Sequence, residues 1–436
     1  MTHHPAPRDS ALRTARTVTG RVSLFDLVGG LSAALDLISP QVVDHHLRVG
    51  FLAGRLAGHM GLPGADTARV VFAGLLHDVG AFSLQTRLDT LAFETDSVEH
   101  AAIGWTLLRR FAPLAGVADV VRWHHQRFDQ ADAADADLQI LRLAGLVHVA
   151  DRLDILLRGA GPACVPPGVL RQRLEHGAGG MFDPLAVEAA GELLCASALA
   201  EEAARPGPAL REAMRALAAP RDAMLDAPAL VDFSGLVAQI IDFRSRFTAT
   251  HSRGVAATAS ALGALAGMAP AEAELLYVAG NLHDLGKLAV PRRLLEKKGP
   301  LTDAEFETIK LHAAHSDAIL TRIPGLEPAG VWAARHHERL DGGGYPHRLD
   351  AGTLDTGARV LAVADVFTAL TEDRPYRAGM TRPQAAGVLG ALAGRRALDP
   401  ALVALLLDNY DEADGLRAQA QERARQDFLA FSGARP

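Results

Sequence analysis

A chain of 436 residues exceeds what one ordinary hydrophobic core encloses, so two domains are expected. A net charge of −7 argues against a general nucleic-acid binder, which carries a basic face, so no direct contact with a nucleic-acid polymer is expected. Two cysteines, Cys164 and Cys195, exclude a disulfide framework or a thiolate zinc site. With no signal-like start and no run of about 18 apolar residues, the expected location is the cytoplasm, away from membranes.

Read along the chain, residues 1–40 form an N-terminal segment and 41–200 a first helical unit. That unit opens on HHLRVGFLAGRLA at His45 and continues through LLHDVG, which places His77 and Asp78. HAAIG follows at His100, then the doublet His124–His125, and LVHVADRLDIL with Asp151. Apolar residues recur at helical spacing throughout, and Ala, Leu and Arg dominate. Gly80, just past the His–Asp pair, is expected to end a helix in the left-handed conformation. Residues 201–235 read as a helical connector, Ala-, Glu- and Arg-rich with a Pro-Gly-Pro break.

The second unit, 236–412, repeats the first. HSRGVAATASALGALA begins at His251, and NLHDLGK places His283 and Asp284; both lie 206 residues beyond their counterparts. HAAHS at His312 and the doublet His336–His337 follow at an offset of 212, so one loop-length change of six separates the blocks. Asp365 in LAVADVFTAL matches Asp151, and Gly286 matches Gly80. The remainder, 413–436, reads as a polar amphipathic helical tail, a candidate docking or oligomer surface. The fold class is all-α: two tandem helical bundles from an internal duplication, joined by a helical connector.

Ten of the 18 histidines occupy duplicated positions, five per copy, with two aspartates in each. One buried histidine is more often a packed core residue than a ligand, but five repeated in order with two carboxylates are a ligand pattern. Imidazole with carboxylate suits Fe, Mn, Zn or Ni rather than Ca or Mg. Seven ligands exceed the four of a tetrahedral site, so two ions sharing a carboxylate are expected.

The second copy resembles the HD-GYP family of bacterial phosphodiesterases, a branch of the HD superfamily of metal-dependent phosphohydrolases. The resemblance rests on His251, HDLGK at 283–287, KKGPLTDAEFETIKLH ending at His312, HHERLDGGGYP at 336–346 and ADVFTALTEDRPYR at 364–377. It implies that His251, His283, Asp284 and Asp365 hold one metal, and Asp284, His312, His336 and His337 the other. Asp284 would bridge two divalent ions, Fe or Mn foremost, with Zn or Ni as alternatives. It also implies catalytic roles for Asp284 and Lys287, with Lys287 holding or protonating a phosphate oxygen. Gly344, Tyr345 and Pro346 would form the substrate-access loop, and Arg374, Tyr376 and Arg377 would hold the substrate. The implied reaction is hydrolysis of cyclic di-GMP to pGpG or GMP by a hydroxide bridging the ions. A general HD phosphohydrolase acting on nucleotides or phosphomonoesters, and a non-catalytic cyclic-dinucleotide sensor, are the competing readings.

Two departures bear on the site. Phe247 stands where trinuclear members carry a glutamate, which favours two ions over three. Thr368 stands where the family often has a second aspartate, which weakens a contact behind the metal shell. The first copy keeps its own set, His45, His77, Asp78, His100, His124, His125 and Asp151, as a possible second metal site. It has Ala81 in place of Lys287, and neither a GYP loop nor an RPYR segment. It is expected to be a regulatory or dimerising domain, a phosphohydrolase for another substrate, or a relic. A homodimer or signalling partner would engage this domain or the GYP loop.

Overall fold

The computed structural model describes residues 21–37, 43–81, 98–131, 136–159, 166–196, 199–243, 250–297, 299–373 and 378–433. Helices dominate, and the described strands are the two-residue β1 (Val22–Ser23) and β2 (Met224–Leu225), paired antiparallel. The first copy contains α1 (Leu24–Asp36), α2 (His45–His59), α3 (Gly64–Leu76), α4 (Glu99–Leu108), α5 (Ala115–Trp123) and α6 (Leu138–Gly159). It continues with α7 (Pro167–His176), α8 (Pro184–Ala196) and α9 (Leu199–Ala203), and α10 (Gly207–Ala218) leads across. The second copy contains α11 (Ala227–Asp242), α12 (His251–Leu265), α13 (Pro270–Leu282), α14 (Arg292–Leu295), α15 (Asp303–Leu320) and α16 (Ala329–Ala334). It ends with α17 (Thr356–Thr371), α18 (Arg382–Gly394), α19 (Pro400–Asp408) and α20 (Tyr410–Gly433).

Local sequence sets where these helices begin. Ser23 caps α1 by accepting from the Asp26 amide at 3.1 Å, and Asp226 caps α11 by accepting from Ala229 at 3.1 Å. Thr302 and Glu305 form a reciprocal capping box at the start of α15. Asp355 caps α17, the helix that carries Asp365.

The duplication extends to elements that the ligand pattern did not mark. Each copy opens with a short strand and a buried helix, β1–α1 and β2–α11, and the two strands pair with each other. The expected start of the second unit, 236, therefore falls inside α11. Helix α1 packs on α2 and α3 of its own copy, and also on α15 and the tight turn Leu285–Ala289 of the other. Helix α11 packs on α12 and α13, and reaches α4 of the first copy. A side chain at Gly30 of α1 would press on Ile323, so the copies approach closely. Leu282 and Leu285, flanking His283–Asp284, share an apolar seam with Leu27, Leu31 and Phe233. One apolar core thus runs through both copies.

The tail helix α20 docks on its own chain. Arg417 and Gln421 are buried, α20 lies along α12, and the rings of Phe243 and Phe428 meet at 4.9 Å. The face it buries is mixed, with Tyr410 and Ala413 beside Arg417 and Gln421. No described helix is long and apolar enough to cross a membrane.

Candidate metal centres

In the second copy the seven ligand candidates converge from five places on the fold. His251 opens α12, His283 and Asp284 follow the end of α13, and His312 lies on α15. His336 and His337 follow α16, and Asp365 lies on α17. Three imidazoles are aimed by one device. The Nδ1 of His283, His312 and His336 lies 2.7, 2.6 and 2.7 Å from the carbonyl oxygens of Gly280, Ile309 and Ala333. A carbonyl only accepts, so each Nδ1 carries the proton and each Nε2 keeps its lone pair for an ion.

These nitrogens face carboxylates. His251 Nε2 lies 3.1 Å from Asp365 Oδ1, and His283 Nε2 lies 3.2 Å from Asp284 Oδ2. His312 and His336 Nε2 lie 3.5 and 4.0 Å from Asp284 Oδ1, a buried oxygen with no hydrogen-bond partner. Two compact groups result: His251, His283 and Asp365, and His312, His336 and His337. Asp284 lies between them, grouped with His283 and His336. The donor set, the aimed lone pairs and the orphaned oxygen all fit bound divalent metal.

Protonation prepares the groups differently. Burial, reinforced by neighbouring imidazoles, lowers His312 to about 4, His337 to about 3 and His336 well below the usual range. They are therefore neutral near pH 7. Burial alone would also lower His251, but Glu372 and then Asp365 outweigh it and raise it to about 10. Metal uptake near pH 7 should then displace about one proton from this histidine. Before metal is added, protonated His251 stabilises the fold fully below its unfolded value of about 6.5, and that contribution is lost as pH rises towards 10. Titrating Mn²⁺ into metal-free protein in buffers of different ionisation enthalpy reads the proton directly; uptake without release would contradict it.

Above these ligand groups the fold is open on one side. The His337 side chain is 28% exposed and abuts Tyr345 at a ring distance of 4.7 Å. A cleft of about 620 Å³ begins there, lined by Phe306, Lys310, Arg339, Gly344, Tyr345 and Arg348. Gly344 is required by close approach, since a Cβ would fall 2.5 Å from Glu338 Cα and the Arg339 nitrogen. Lys287 Nζ sits 2.5 Å from Asp284 Oδ2, with burial opposing and Asp284 sustaining its charge. Arg374, Tyr376, Arg377 and Phe247 lie outside the described residues.

Two further residues support the site from outside the predicted ligand set. Buried Glu338 accepts from the His347 and Leu349 amides at 2.6 and 2.8 Å, and so staples the far side of the 344–346 loop. Glu338→Ala is expected to cost about 1–3 kcal/mol by stranding both amides. Substrate KM should rise more than kcat falls, as steady-state kinetics would show. Glu372 is the other, at 3.1 Å from His251 Nδ1.

The first copy assembles its seven counterparts as well. Asp78, His100, His124 and His125 form one group, and His45, His77 and Asp78 another. His77 and His124 are aimed by carbonyls at 2.8 and 2.7 Å, as in the second copy. This centre differs in access and charge. His125 is 2% exposed, and its ring meets that of buried His148 at 5.6 Å. Buried Arg152 binds Asp151 at 2.8 Å, where the second copy has Val366 after Asp365. His46 also proves buried, hydrogen-bonded to Asp36. Gly80 and Gly286 do not take the left-handed conformation. They are instead required because a Cβ would collide with the carbonyl oxygen of His100 or His312.

Family comparison agrees with this geometry. The HD domain family model matches residues 42–156, and a second HD domain model matches residues 235–402. The 3'3'-cGAMP-specific phosphodiesterase 1 of Vibrio cholerae is 29% identical over 380 residues, covering 80% of this chain and 83% of the relative. The 3'3'-cGAMP-specific phosphodiesterase 2 of the same organism is 38% identical, over 42% of this chain and 35% of the relative. The cyclic di-GMP phosphodiesterase response regulator RpfG of Xanthomonas campestris is 35% identical, over 46% of this chain and 51% of the relative. The crystal structure of a cyclic GMP-AMP-specific phosphodiesterase of V. cholerae, V-cGAP3, superposes with a TM-score of 0.64. It is 21% identical and covers 90% of this chain and 98% of that one, which establishes a shared fold. The chain belongs to the HD-domain family and carries two HD domains in tandem.

Proposed function

We propose that the second HD domain is a metal-dependent phosphodiesterase of the HD-GYP type that opens a cyclic dinucleotide. The observation that carries this reading is the pair of three-ligand groups around Asp284, set beneath a cleft lined by lysine and arginine. When bound, two divalent ions, Fe or Mn foremost, would supply the charge that stabilises both the attacking and the leaving oxygen of an in-line displacement. His251, His283 and Asp365 would hold one ion and His312, His336 and His337 the other, with Asp284 placed between the two groups. Lys287 stands at Asp284 to meet a phosphate oxygen, and Tyr345 and Pro346 border the substrate's entry. Arg374, Tyr376 and Arg377, outside the described residues, are the phosphate contacts that the resemblance to the HD-GYP family would add.

For the substrate we place 3'3'-linked cyclic GMP–AMP first and cyclic di-GMP second. The relative named for the mixed ring aligns over most of the chain, whereas the response regulator named for cyclic di-GMP aligns over 46% of it. Hydrolysis of one phosphodiester in either ring gives a linear dinucleotide with a terminal phosphate, pGpG in the case of cyclic di-GMP. Assaying the Mn- or Fe-loaded chain with both rings, and with phosphomonoesters, decides among the readings. Preference for monoesters would favour a general phosphohydrolase. Tight binding without turnover across several metals would favour a sensor.

The first HD domain supports retention of metal without turnover of the dinucleotide. Among the described residues its centre is closed at His125, lacks the lysine at Ala81, and is flanked by Arg152 and Arg158. A regulatory role exerted through α1, which packs against the turn carrying Leu285, is the reading we favour.

A further inference from the structure

The two copies hold their first histidine from behind in different ways. In the first, His45 Nδ1 meets Asp154 Oδ2 at 2.7 Å; Arg158 holds Asp154 at 2.9 Å, and Arg48 contacts its other oxygen. Aligned on Asp151 and Asp365, position 154 becomes Thr368 and 158 becomes Glu372; aligned on His45 and His251, Arg48 becomes Gly254. All three partners change together. The buried hydroxyl of Thr368 has no hydrogen-bond partner. Glu372, one helical turn further on, instead brings Oε2 to 3.1 Å from His251 Nδ1.

The tail helix completes this arrangement. Gln421 of α20 donates to the same Glu372 oxygen at 3.0 Å and accepts from Arg417, which donates to Asp414 at 2.8 Å. Glu372, Gln421 and Arg417 are all buried. Gly254 makes the approach possible, because a Cβ there would stand 2.9 Å from Gln421 Nε2 and from Thr368 Cγ2. The side chain that would occupy this space is Arg48 in the first copy.

We propose that Glu372 is the positioning residue of His251, its carboxylate moved one turn along the helix, and that Gln421 of the tail helix makes α20 part of the metal centre. A carboxylate on the Nδ1–H fixes the imidazole's tautomer and strengthens Nε2 as a ligand. Thr368 therefore marks a relocation of this contact. The proposal rests on His251 being a metal ligand and is independent of which substrate is cleaved.

The test counts metal on the full-length chain loaded with Mn²⁺ and dialysed against graded chelator. Glu372→Gln is expected to weaken retention of an ion in the second domain by about 10–100-fold. Adding Thr368→Asp to that variant should restore most of the loss, and Gln421→Ala should weaken the same ion to a lesser degree. Phe428→Ala, which loosens α20 against Phe243 without touching the relay, should retain metal as wild type does. Wild-type retention in Glu372→Gln, no restoration by Thr368→Asp, or an equal loss in Phe428→Ala would each overturn the proposal. A parallel hydrolysis assay separates the readings. A chain that holds both ions but cleaves no cyclic dinucleotide refutes the proposed function alone, whereas a wild-type chain that takes up no metal refutes both.

Discussion

Asp284→Ala is expected to lower kcat/KM for the cyclic dinucleotide by about 10³-fold or more, equivalent to roughly 4 kcal/mol of transition-state stabilisation. Asp284 is the carboxylate that stands between both ligand groups, with one oxygen towards His312 and His336 and the other towards His283 and Lys287. Its loss would remove the proposed shared ligand and leave the half-buried Lys287 without its partner. Metal content should fall with turnover, since five neutral imidazoles and Asp365 alone supply too little negative charge for two divalent ions. The matched change in the other copy, Asp78→Ala, should leave turnover within about twofold, because it removes no ligand candidate of the second centre. Elemental analysis and product release measured on both variants check the assignment together. Retention of a tenth of the activity by Asp284→Ala would remove the bridging role, and a dead Asp78→Ala would move turnover to the first domain.

Much of this was legible in the sequence because duplication marks ligands twice. His77–Asp78 and His283–Asp284 lie at a fixed offset just past helices of plain amphipathic pattern, so the two bundles and their polar clusters emerge together. What stayed hidden was whatever depends on elements meeting in space. Helix α1 carries no ligand, and nothing local shows that it packs against the other copy's His–Asp turn. Glu338 lies beside the ligand doublet, but only the folded loop brings the His347 and Leu349 amides to it. Glu372 was missed because position-by-position comparison looks for an aspartate at 368, whereas helical geometry lets a longer side chain act from 372. A signal did exist: the charge reversal from Arg158 to Glu372, paired with the loss of Arg48 at Gly254.

The copies therefore share a ligand scaffold and differ in what surrounds it. The first places Arg48, Arg152 and Arg158 around its carboxylates and closes over His125. The second has Gly254, Val366 and Glu372 at those positions, and opens at His337. Three buried or half-buried guanidinium groups oppose the charge that two divalent ions bring, while Glu372 favours it. The arginine set of the first centre thus suits a lower metal charge, and the second suits a loaded pair.

Gly286→Ala should uncouple the ligand groups of the second centre while leaving every ligand in place. Gly286 lies in the turn after Asp284 and its amide donates to Ser316 Oγ at 2.9 Å. An added Cβ would meet the His312 carbonyl oxygen far inside contact distance and His315 Cβ at 2.9 Å. The obstacle is helix backbone, so no rotamer change relieves it, and α15 must move away from the turn. His312 travels with α15 while Asp284 stays with the turn, which stretches their 3.5 Å approach. A displacement of about 1 Å in such a site costs on the order of 10²-fold in rate, and overpacking costs about 1–3 kcal/mol of stability. Gly80→Ala makes the corresponding collision with the His100 carbonyl in the first copy. Both variants should unfold at lower denaturant concentration, but only Gly286→Ala should lose turnover and the ion held by His312, His336 and His337. Equal loss of activity in the two variants would mean that the strain spreads through the shared core and is not confined to one metal centre.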